Sequence, residues 1–431
     1  MKKEVVNTAV ETEEEIKDTT EVTTEMETEN KKLKKETEIE METRSKLRIG
    51  IIGCGNAGNQ LVSAAYRAGI TENLLAINTS KKDLSSEIVS NLIPSFLAGG
   101  EGRGSGKDRE KAKQLFKENG ELLFKAQLGD KTNASYKLIQ ESDVVIVAFA
   151  TGGGTGSFIG PALCQILSRM YKSSQKLVIA YGVAPKFSDS AQAHKNSIAS
   201  IKDCSECSIP ILLDDLSKLE EIPYEEAYER IAINFVDYIH TIRGDYSAPS
   251  KNGMIDENDT MRMIGHPGYQ CHYHLTGLTV EMLEKENIQS RLLKLMKEES
   301  PTMTIQKDGI IEYMGVISNY PSSFNEGIHN GDYSKITEYV GIPNSTFENY
   351  GEISGTLADV HVILSGMNLP YDKLLKSKEK VEAREKAREK AASFDLSSII
   401  AGMDSDSEKN KIQNTYGIDE EDVKDALSFF K

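Results

Sequence analysis

The sequence predicts an α/β fold with a parallel sheet, then one long helix, a smaller α+β region, and a C-terminal helix and tail. Two observations support this prediction. Continuous apolar runs of strand length, such as Val144–Ala150 and Leu177–Val183, are typical of parallel strands buried on both faces. Each run ends in a glycine-rich or polar loop, and an open α/β sheet binds its ligands at the carboxyl ends of its strands.

The most informative loop is Gly152–Ser157, which lies between the strand Val144–Ala150 and a helix that begins at Phe158. Glycines lack the Cβ atoms that would keep an anion away from the backbone. The first amides of a helix are unpaired and carry the positive end of its dipole. A plain turn needs one glycine, so we expect a phosphate-binding loop formed by Gly152, Gly153, Gly154, Thr155, Gly156 and Ser157.

A second glycine-rich turn lies at the start of the folded body, inside a βαβ unit. The unit consists of the strand Leu47–Ile52, the turn Gly53–Gln60, the helix Leu61–Ala68 and the strand Leu74–Thr79. Such a unit is typical of a Rossmann-like nucleotide-binding domain, in which the turn between strand and helix holds phosphate.

The glycines of this turn fit a dinucleotide-binding pattern and therefore raise an alternative function. Gly53, Gly55 and Gly58 match GxGxxG, as in nicotinamide-dependent oxidoreductases. Such an enzyme requires an acidic residue at the end of the second strand, where it binds the ribose. Asn78 occupies that position here, and the alternative also has no use for a second glycine loop after a later strand.

A third glycine-rich stretch, Ala98–Arg109, contains cationic side chains and too few apolar residues to build a core. It is either a flexible surface loop or a flap over the terminal phosphate whose backbone amides do most of the binding. A helix is expected after it, at Lys111–Gln127.

The middle of the chain carries one more buried strand and a long helix. The strand Ile209–Leu213 ends at Asp214 and Asp215, and the helix spans Tyr224–Ile242 with Asn234 inside it. Further on, Asp256 is expected to cap a helix, with Asp259 in the first turn at the favourable end of the dipole.

Alternating and helical patterns after this point predict the α+β region. The expected strands are His274–Glu281, Thr302–Ser318 and Asp359–Gly366, and the expected helices are Asn287–Glu298 and Tyr333–Tyr339. The predicted division is therefore 1–46 disordered, 47–223 nucleotide domain, 224–244 core helix, 245–366 α+β region, 367–392 charged helix and 393–431 flexible tail.

Composition restricts the class of protein. The chain has 431 residues, a net charge of −16 and 39% hydrophobic residues, which predicts that the polar ends are unfolded and that the body does not bind DNA directly. The five cysteines follow no framework spacing, so we expect reduced thiols in the cytoplasm. No apolar run has the length of a membrane span, so we expect no contact with a membrane.

Taken together, these motifs resemble the tubulin/FtsZ superfamily. Gly152–Ser157 is similar to the tubulin signature loop, and Gly53–Asn59, Asn78–Thr79, Gly99–Arg109 and Asp256–Asp259 occur in the same order as in tubulin and FtsZ. The stretches Ile77–Leu84, Gly106–Arg109 and Ile255–Asp259 are most similar to the TubZ branch, which partitions plasmids and phages. The resemblance covers roughly Leu47 to Ala392.

The resemblance implies a GTPase that binds GTP or GDP with Mg²⁺ and polymerises head to tail. Asp256 and Asp259 match the acidic pair that orients the attacking water in the neighbouring subunit's site. Asn234 matches the guanine contact, with Asp214 and Asp189 as further candidates for base and ribose. The implied nucleotide-binding residues are Gly53, Cys54, Gly55, Asn56, Gly58, Asn59, Asn78, Gly99, Gly100, the six residues of Gly152–Ser157, Asp189, Asp214 and Asn234.

Two positions depart from the family pattern. Met254 stands where the division proteins have an asparagine, and Phe158 replaces the last glycine of the signature loop. A divergent branch with its own hydrolysis rate accounts for both.

The tail carries an interaction hypothesis. Val423, Leu427 and Phe430 share one face of a short helix, next to the acidic run Asp419–Asp422. This peptide either docks on a partner or frays at the terminus, and by resemblance the partner is a DNA-binding adaptor.

Two further sequence patterns raise other functions. Cys204–Cys207 with Cys271–His274 could form a zinc set, but the pairs belong to different domains, so we predict no metal site formed by the protein alone. Besides the oxidoreductase, a nucleotide-binding regulator that forms no polymer remains as an alternative function.

Overall fold

The computed structural model describes residues 46–86, 89, 91–124, 134–246, 255–279, 281–282, 287–306, 309–321, 333–353 and 355–392. The expected disordered N-terminal extension up to residue 45, Met254 and the tail at 393–431 lie outside the described residues.

The described residues form ten strands and eleven α-helices. The strands are β1 (Ile49–Cys54), β2 (Leu74–Asn78), β3 (Ser95–Leu97), β4 (Val144–Ala150), β5 (Leu177–Ala184), β6 (Pro210–Asp215), β7 (Gly268–Leu278), β8 (Ile311–Pro321), β9 (Pro343–Ile353) and β10 (Ala358–Met367). The helices are α1 (Gly55–Arg67), α2 (Lys81–Leu84), α3 (Arg109–Asn119), α4 (Ala134–Glu141), α5 (Thr155–Met170), α6 (Ala191–Ser205), α7 (Tyr224–Ile242), α8 (Glu257–Ile264), α9 (Ile288–Lys294), α10 (Ser334–Val340) and α11 (Tyr371–Ala392).

All ten strands belong to one sheet, in the order β3-β2-β1-β4-β5-β6-β7-β10-β8-β9. The pairs from β3 to β7 are parallel, β10 is antiparallel to both β7 and β8, and β8 is parallel to β9. The mostly parallel sheet confirms the predicted α/β class. The α+β region adds its strands to the edge of the first sheet through three residue pairs, from Pro210–Gly268 to Leu212–Gln270.

Helices cover both faces of the parallel strands. Along β4, alternate residues point to opposite sides, so that Val145 and Val147 pack with α5 and Val144 and Ile146 pack with α1 and α7. Because both faces of this strand are buried, its sequence is a continuous apolar run rather than an alternating one.

Several boundaries differ from the sequence-based expectation. The observed β4 and α7 have the predicted bounds. Helix α1 begins at Gly55 instead of Leu61 and α5 at Thr155 instead of Phe158, because the ends of both glycine-rich turns already have helical geometry. Helix α3 ends at Asn119, and a 3₁₀ turn at Gly120–Leu123 replaces its expected continuation.

The charged helix expected at 367–392 is observed as α11, and it packs on α6. Ser377 Oγ lies 3.1 Å from His194 Nδ1, and both side chains are buried. Lys373 Nζ donates to Asp215 Oδ1 at 2.8 Å and to the carbonyl of Pro185 at 3.0 Å. The helix is therefore anchored to the loop that follows β5 and to the end of β6.

Among the described residues, none of the helices combines the length and the apolarity that crossing a membrane would require.

Candidate functional site

A cavity of about 610 Å³ opens at the carboxyl ends of the parallel strands. Its wall is formed mainly by the loops after β1, β2, β4 and β5, together with the start of α7. Ten of the residues predicted to bind nucleotide line it: Cys54, Gly55, Asn56, Asn78, Gly152, Gly153, Gly154, Thr155, Gly156 and Asp189. The carboxyl edge of the sheet is thus where the separate glycine-rich motifs meet.

The first two glycine-rich loops touch each other backbone to backbone. Gly55 has a φ of +74°, and a Cβ there would lie 2.9 Å from the amide nitrogen of Gly156. A Cβ on Gly156 would lie 2.7 Å from the carbonyl oxygen of Cys54. These two glycines are required for packing as well as for an open anion site.

Gly153 differs from these glycines. A Cβ on Gly153 would be 3.9 Å from its nearest neighbour, the carbonyl oxygen of Ala150. The residue also lines the cavity, so its missing side chain leaves space for a ligand rather than for another part of the protein.

Three buried hydroxyls meet at the base of this wall. Thr79 Oγ1 lies 2.6 Å from Thr155 Oγ1, and Ser105 Oγ lies 3.2 Å from the same atom. They bring together the end of β2, the phosphate loop and the glycine-rich flap. Thr79 and Ser105 lie in two stretches that the sequence analysis singled out, but they were not among the predicted nucleotide-binding residues.

Ser157 serves the loop rather than the cavity. Its hydroxyl donates to the carbonyl oxygen of Gly153 at 2.5 Å and to that of Gly154 at 3.0 Å. It does not line the cavity wall, so its place is to fix the shape of the phosphate loop.

The flap rests on the phosphate loop through the buried side chain of Asn196 in α6. Its Nδ2 donates to the carbonyls of Gly153 at 2.8 Å, Lys107 at 3.1 Å and Gly152 at 3.3 Å. Arg109 Nε donates to the carbonyl of Ser157 at 3.2 Å. The part of the flap that lines the cavity is Arg103–Lys107.

Gly99 and Gly100, both predicted to bind nucleotide, lie outside the cavity wall. Their amides donate to the side chains of Asn119 at 3.1 Å and Glu118 at 3.0 Å, so α3 already satisfies them. The sequence pattern could not separate the two halves of this glycine-rich stretch, because the partners in α3 come later in the chain.

Three residues of the first motif fix the shape of its turn without lining the cavity. A Cβ on Gly53 would lie 2.6 Å from the carbonyl carbon of Gly58, and one on Gly58 would lie 3.1 Å from that of Ala148. The buried amide of Asn59, in the orientation that satisfies its hydrogen bonds, donates to the carbonyl of Gly53 at 2.9 Å. Close packing of strand and helix, rather than contact with a ligand, accounts for these positions.

The opposite wall of the cavity is aromatic. Tyr224 and Tyr228, one helical turn apart at the start of α7, stack with 6.3 Å between ring centroids and 25° between planes. The hydroxyl of Tyr224 donates to Asp189 Oδ2 at 2.5 Å, and burial raises the pKa of Tyr228 to about 12. The sequence analysis missed this pair, although two tyrosines at i and i+4 in the first turn of a long helix were the available signal.

Asn234 and Asp214 are outside the wall of this cavity. Asn234 Nδ2 donates to Asp214 Oδ1 at 2.9 Å and lies 3.2 Å from Thr302 Oγ1. Tyr181 also donates to Asp214, whose pKa is raised to about 6 because the carboxyl group is buried. In this structure both residues join β6, α7 and the segment before β8.

Asp256 and Asp259 form the reciprocal cap of α8. The amide of Asp259 donates to Asp256 Oδ1 at 2.8 Å, which confirms the capping interpretation. Neither residue lines the cavity. Helix α8 is followed by Gly265, where a Cβ would lie 3.0 Å from Leu177 Cδ1 at the start of β5. The helix therefore ends at the amino edge of the strands, whereas the cavity lies at their carboxyl edge.

The cavity has oxygen atoms that suit a Mg²⁺ ion bound together with a phosphate group. The hydroxyls of Thr79, Ser105 and Thr155 lie together, and the carboxylate of Asp83 also lines the wall. Mg²⁺ prefers such oxygen ligands, with water and phosphate completing its shell.

Comparisons with known proteins agree with this geometry. Residues 48–222 match the Tubulin/FtsZ family, GTPase domain. The chain is 25% identical over 372 residues to the tubulin-like protein TubZ of Clostridium botulinum C phage, covering 85% of this chain and 92% of that protein.

Solved structures show the same fold. TubZ of Clostridium botulinum phage c-st, truncated at its C-terminal tail, has a TM-score of 0.59 at 24% identity, covering 79% of this chain and 98% of that one. The GTPγS-form protofilament of Bacillus thuringiensis serovar israelensis TubZ has a TM-score of 0.62 at 16% identity, covering 80% and 95%. The predicted resemblance and fold class are confirmed.

Proposed function

We propose that the chain is a GTPase of the tubulin/FtsZ family that hydrolyses GTP while it polymerises head to tail, and the match of residues 48–222 to that family's GTPase domain supports this. The observation that carries this proposal is the separation of two groups. The nucleotide cavity lies at the carboxyl edge of the sheet, and the exposed acidic cap of α8 lies outside it.

The phosphates of the nucleotide lie against the glycine-rich loops in this proposal. The amides of the Gly152–Gly156 loop at the start of α5 supply donors and the positive end of the helix dipole. Hydroxyls of Thr79, Ser105 and Thr155 lie beside them, together with Lys107 of the flap. When bound, Mg²⁺ would neutralise charge on the phosphates next to these hydroxyls and Asp83.

The base and ribose lie on the other side of the cavity. The aromatic wall of Tyr224 and Tyr228 suits a stacked base, and Asp189, held by Tyr224, suits a ribose hydroxyl. This replaces Asn234 as the proposed first contact of the base, since Asn234 is engaged with Asp214.

The acidic pair completes the site in trans. Phosphoryl transfer needs charge neutralisation and a positioned water more than covalent help. If Asp256 and Asp259 stay outside the cavity of their own chain, the site to which they supply a carboxylate must be that of another molecule. A head-to-tail contact between unlike surfaces that does not close into a ring produces a filament.

The proposal is tested by pelleting the protein with GTP or GDP and measuring phosphate release on the same samples. We expect a pellet with GTP, and turnover per chain that rises steeply with protein concentration. Turnover independent of concentration would instead identify a nucleotide-binding regulator that forms no polymer. Tighter binding of NAD than of GTP would identify an oxidoreductase.

The proposed cellular role is movement or partition of plasmid or phage DNA in the cytoplasm, through an adaptor bound to the C-terminal tail. The support is the similarity to TubZ and the acidic, amphipathic pattern at Asp419–Phe430. A chain that ends at Ala392 should still bind GTP and polymerise but should no longer move adaptor-bound DNA. Loss of polymerisation in that truncation would place the tail in the filament contact instead.

A further inference from the structure

Four histidines gather far from the glycine-rich loops, where the end of α7 meets β7 and β10. They are His240 on α7, His272 and His274 on β7, and His361 on β10. His272 and His361 are buried, and the side chain of His274 is 12% exposed. The carboxylates of Asp237 and Asp359 lie among them. None of these residues lines the nucleotide cavity.

The hydrogen bonds of the Thr241 hydroxyl indicate which ring nitrogen of His361 carries the proton. Its oxygen is 2.6 Å from the backbone carbonyl of Asp237, so its single proton is used in that hydrogen bond. Thr241 Oγ1 then has only its lone pairs left for its two histidine neighbours, so it accepts from His361 Nδ1 at 3.0 Å and from His272 Nε2 at 3.1 Å. In neutral His361 the other nitrogen, Nε2, therefore carries a bare lone pair, and it faces Asp359 Oδ2 at 3.1 Å. Two electron-rich atoms in contact require a proton or a metal ion between them.

His274 presents the same arrangement. Its Nδ1 lies 2.9 Å from Asp237 Oδ2, and a carboxylate only accepts, so the proton is on Nδ1. The remaining Nε2 is buried, forms no hydrogen bond with any of the described residues and lies 3.9 Å from Asp359 Oδ2. Ligand atoms of His274, His361 and Asp359 all lie within 4.8 Å of one another.

We propose that His274, His361 and Asp359 bind one divalent transition-metal ion, of which Zn²⁺ is the best match. Two imidazole nitrogens and one carboxylate form a common three-residue ligand set for Zn²⁺, with a fourth position open, whereas Mg²⁺ prefers oxygen. One added proton would satisfy only one of the two bare nitrogens, whereas one metal ion satisfies both.

The surroundings also match a metal site. Metal-binding histidines commonly donate their other nitrogen to a carboxylate or another oxygen, which fixes the ring. Asp237 does this for His274 and Thr241 does it for His361. The two rings are stacked, with 3.9 Å between centroids and 16° between planes, so they must turn about their Cβ–Cγ bonds for both lone pairs to meet one ion. The ion would connect β7 and β10, next to the end of α7.

This site differs from the zinc set considered in the sequence. Among the described residues, the one candidate metal cluster of histidine, cysteine and acidic side chains is His274, Asp359 and His361. Cys204 and Cys207 are free thiols at the end of α6, and they are not part of it.

The test uses the full chain without a histidine tag, stripped with EDTA and titrated with Co²⁺ alone. We expect one Co²⁺ per chain, with visible d–d absorption, no thiolate charge-transfer band, and displacement by Zn²⁺. Asp359→Asn and His361→Gln should each weaken the affinity by more than about tenfold. The matched controls His266→Gln and Cys204→Ser, which alter residues outside the cluster, should leave it unchanged.

Three results would overturn the proposal. The first is a wild-type chain that binds no Co²⁺ in stoichiometric amount. The second is an affinity that Asp359→Asn and His361→Gln leave intact. The third is a thiolate band in the wild-type spectrum, which remains decisive even if both variants fail to fold. Circular dichroism and GTP binding report folding of the variants, and neither depends on the metal.

Discussion

The nucleotide cavity and the acidic start of α8 are built in opposite ways. The cavity wall consists of loops from many parts of the chain, and backbone groups and buried hydroxyls from β1 to β5 meet there. The acidic cap is local: Asp256 and Asp259 bond to each other's backbone and face solvent. In our proposal, a single folded chain therefore suffices to bind the nucleotide, whereas hydrolysis requires contact between two chains.

The largest expected effect is at the acidic cap. Asp259→Ala should leave GTP affinity unchanged and reduce phosphate release in the polymer by about a hundredfold or more, because a positioned carboxylate contributes that much. Stability should fall by about 1 kcal/mol or less, since one half of the cap is lost. Nucleotide titration, pelleting and phosphate release measure the three quantities, and Asn258→Ala, an exposed neighbour in the same turn, is the control.

Two inactive variants can show whether the cap acts in trans. Gly154→Ala should abolish GTP binding, because its Cβ would lie 2.8 Å from Lys107 Cα and displace the flap. Mixed with Asp259→Ala, it contributes an intact acidic cap to a neighbour that holds GTP. Recovery of phosphate release in mixed pellets supports action in trans. No recovery in pellets that contain both variants would place the cap in its own chain's site.

A smaller effect is expected from a single methyl group in the cavity. Gly153→Ala meets no protein atom closer than 3.9 Å, so its melting temperature should stay that of the wild type. Its affinity for GTP should fall about ten- to hundredfold, because hydrogen bonds from backbone amides to a charged phosphate are lost. Gly100→Ala is the matched control, since nothing lies within 4 Å of its Cβ and the residue does not line the cavity. Equal affinities for both variants would remove Gly153 from the phosphate site.

The smallest effect concerns a carboxylate that belongs to neither region. Burial raises the pKa of Asp214 to about 6, above the value of about 4 expected in the unfolded chain. The folded state keeps the proton where the unfolded state has lost it, so the free energy of unfolding falls as the pH rises from about 4 to about 6. Asp214→Asn should flatten this slope. The free energy of unfolding of the variant, compared with that of the wild type, should therefore increase by about 2 kcal/mol between pH 4 and pH 7. Urea unfolding at several pH values measures it; an unchanged slope would exclude Asp214 as its cause.

The same comparison explains how much the sequence could predict. The bounds of β4 and α7 were predictable because each is long, apolar on its buried faces and flanked by clear breaks. Strand β9 was missed because it lies at the edge of the sheet, where only two of its eleven residues are buried and leave no apolar pattern. Its position depends on pairing with β8, which a single sequence does not encode in any local pattern.

Within the site, local motifs were predictable and distant partners were not. The loop Gly152–Gly156 was recognisable because four of its five residues are glycine. Tyr228 was not, because it reaches the cavity only through the fold. Asn234 was assigned to the base by family resemblance, and in the structure its amide donates to Asp214. A hydrogen-bond partner that is distant in sequence competes with a proposed ligand, and no local pattern reveals that competition.

The anchoring of α11 has a consequence for biosynthesis. Lys373 holds the carbonyl of Pro185, a cavity residue, and Lys380 donates to the carbonyl of Phe187 in the same loop. Because translation proceeds from the amino terminus, the glycine-rich loops leave the ribosome long before α11 does. The loop that contributes Pro185 to the cavity wall therefore gains these contacts only after the glycine-rich loops and the acidic cap have been made.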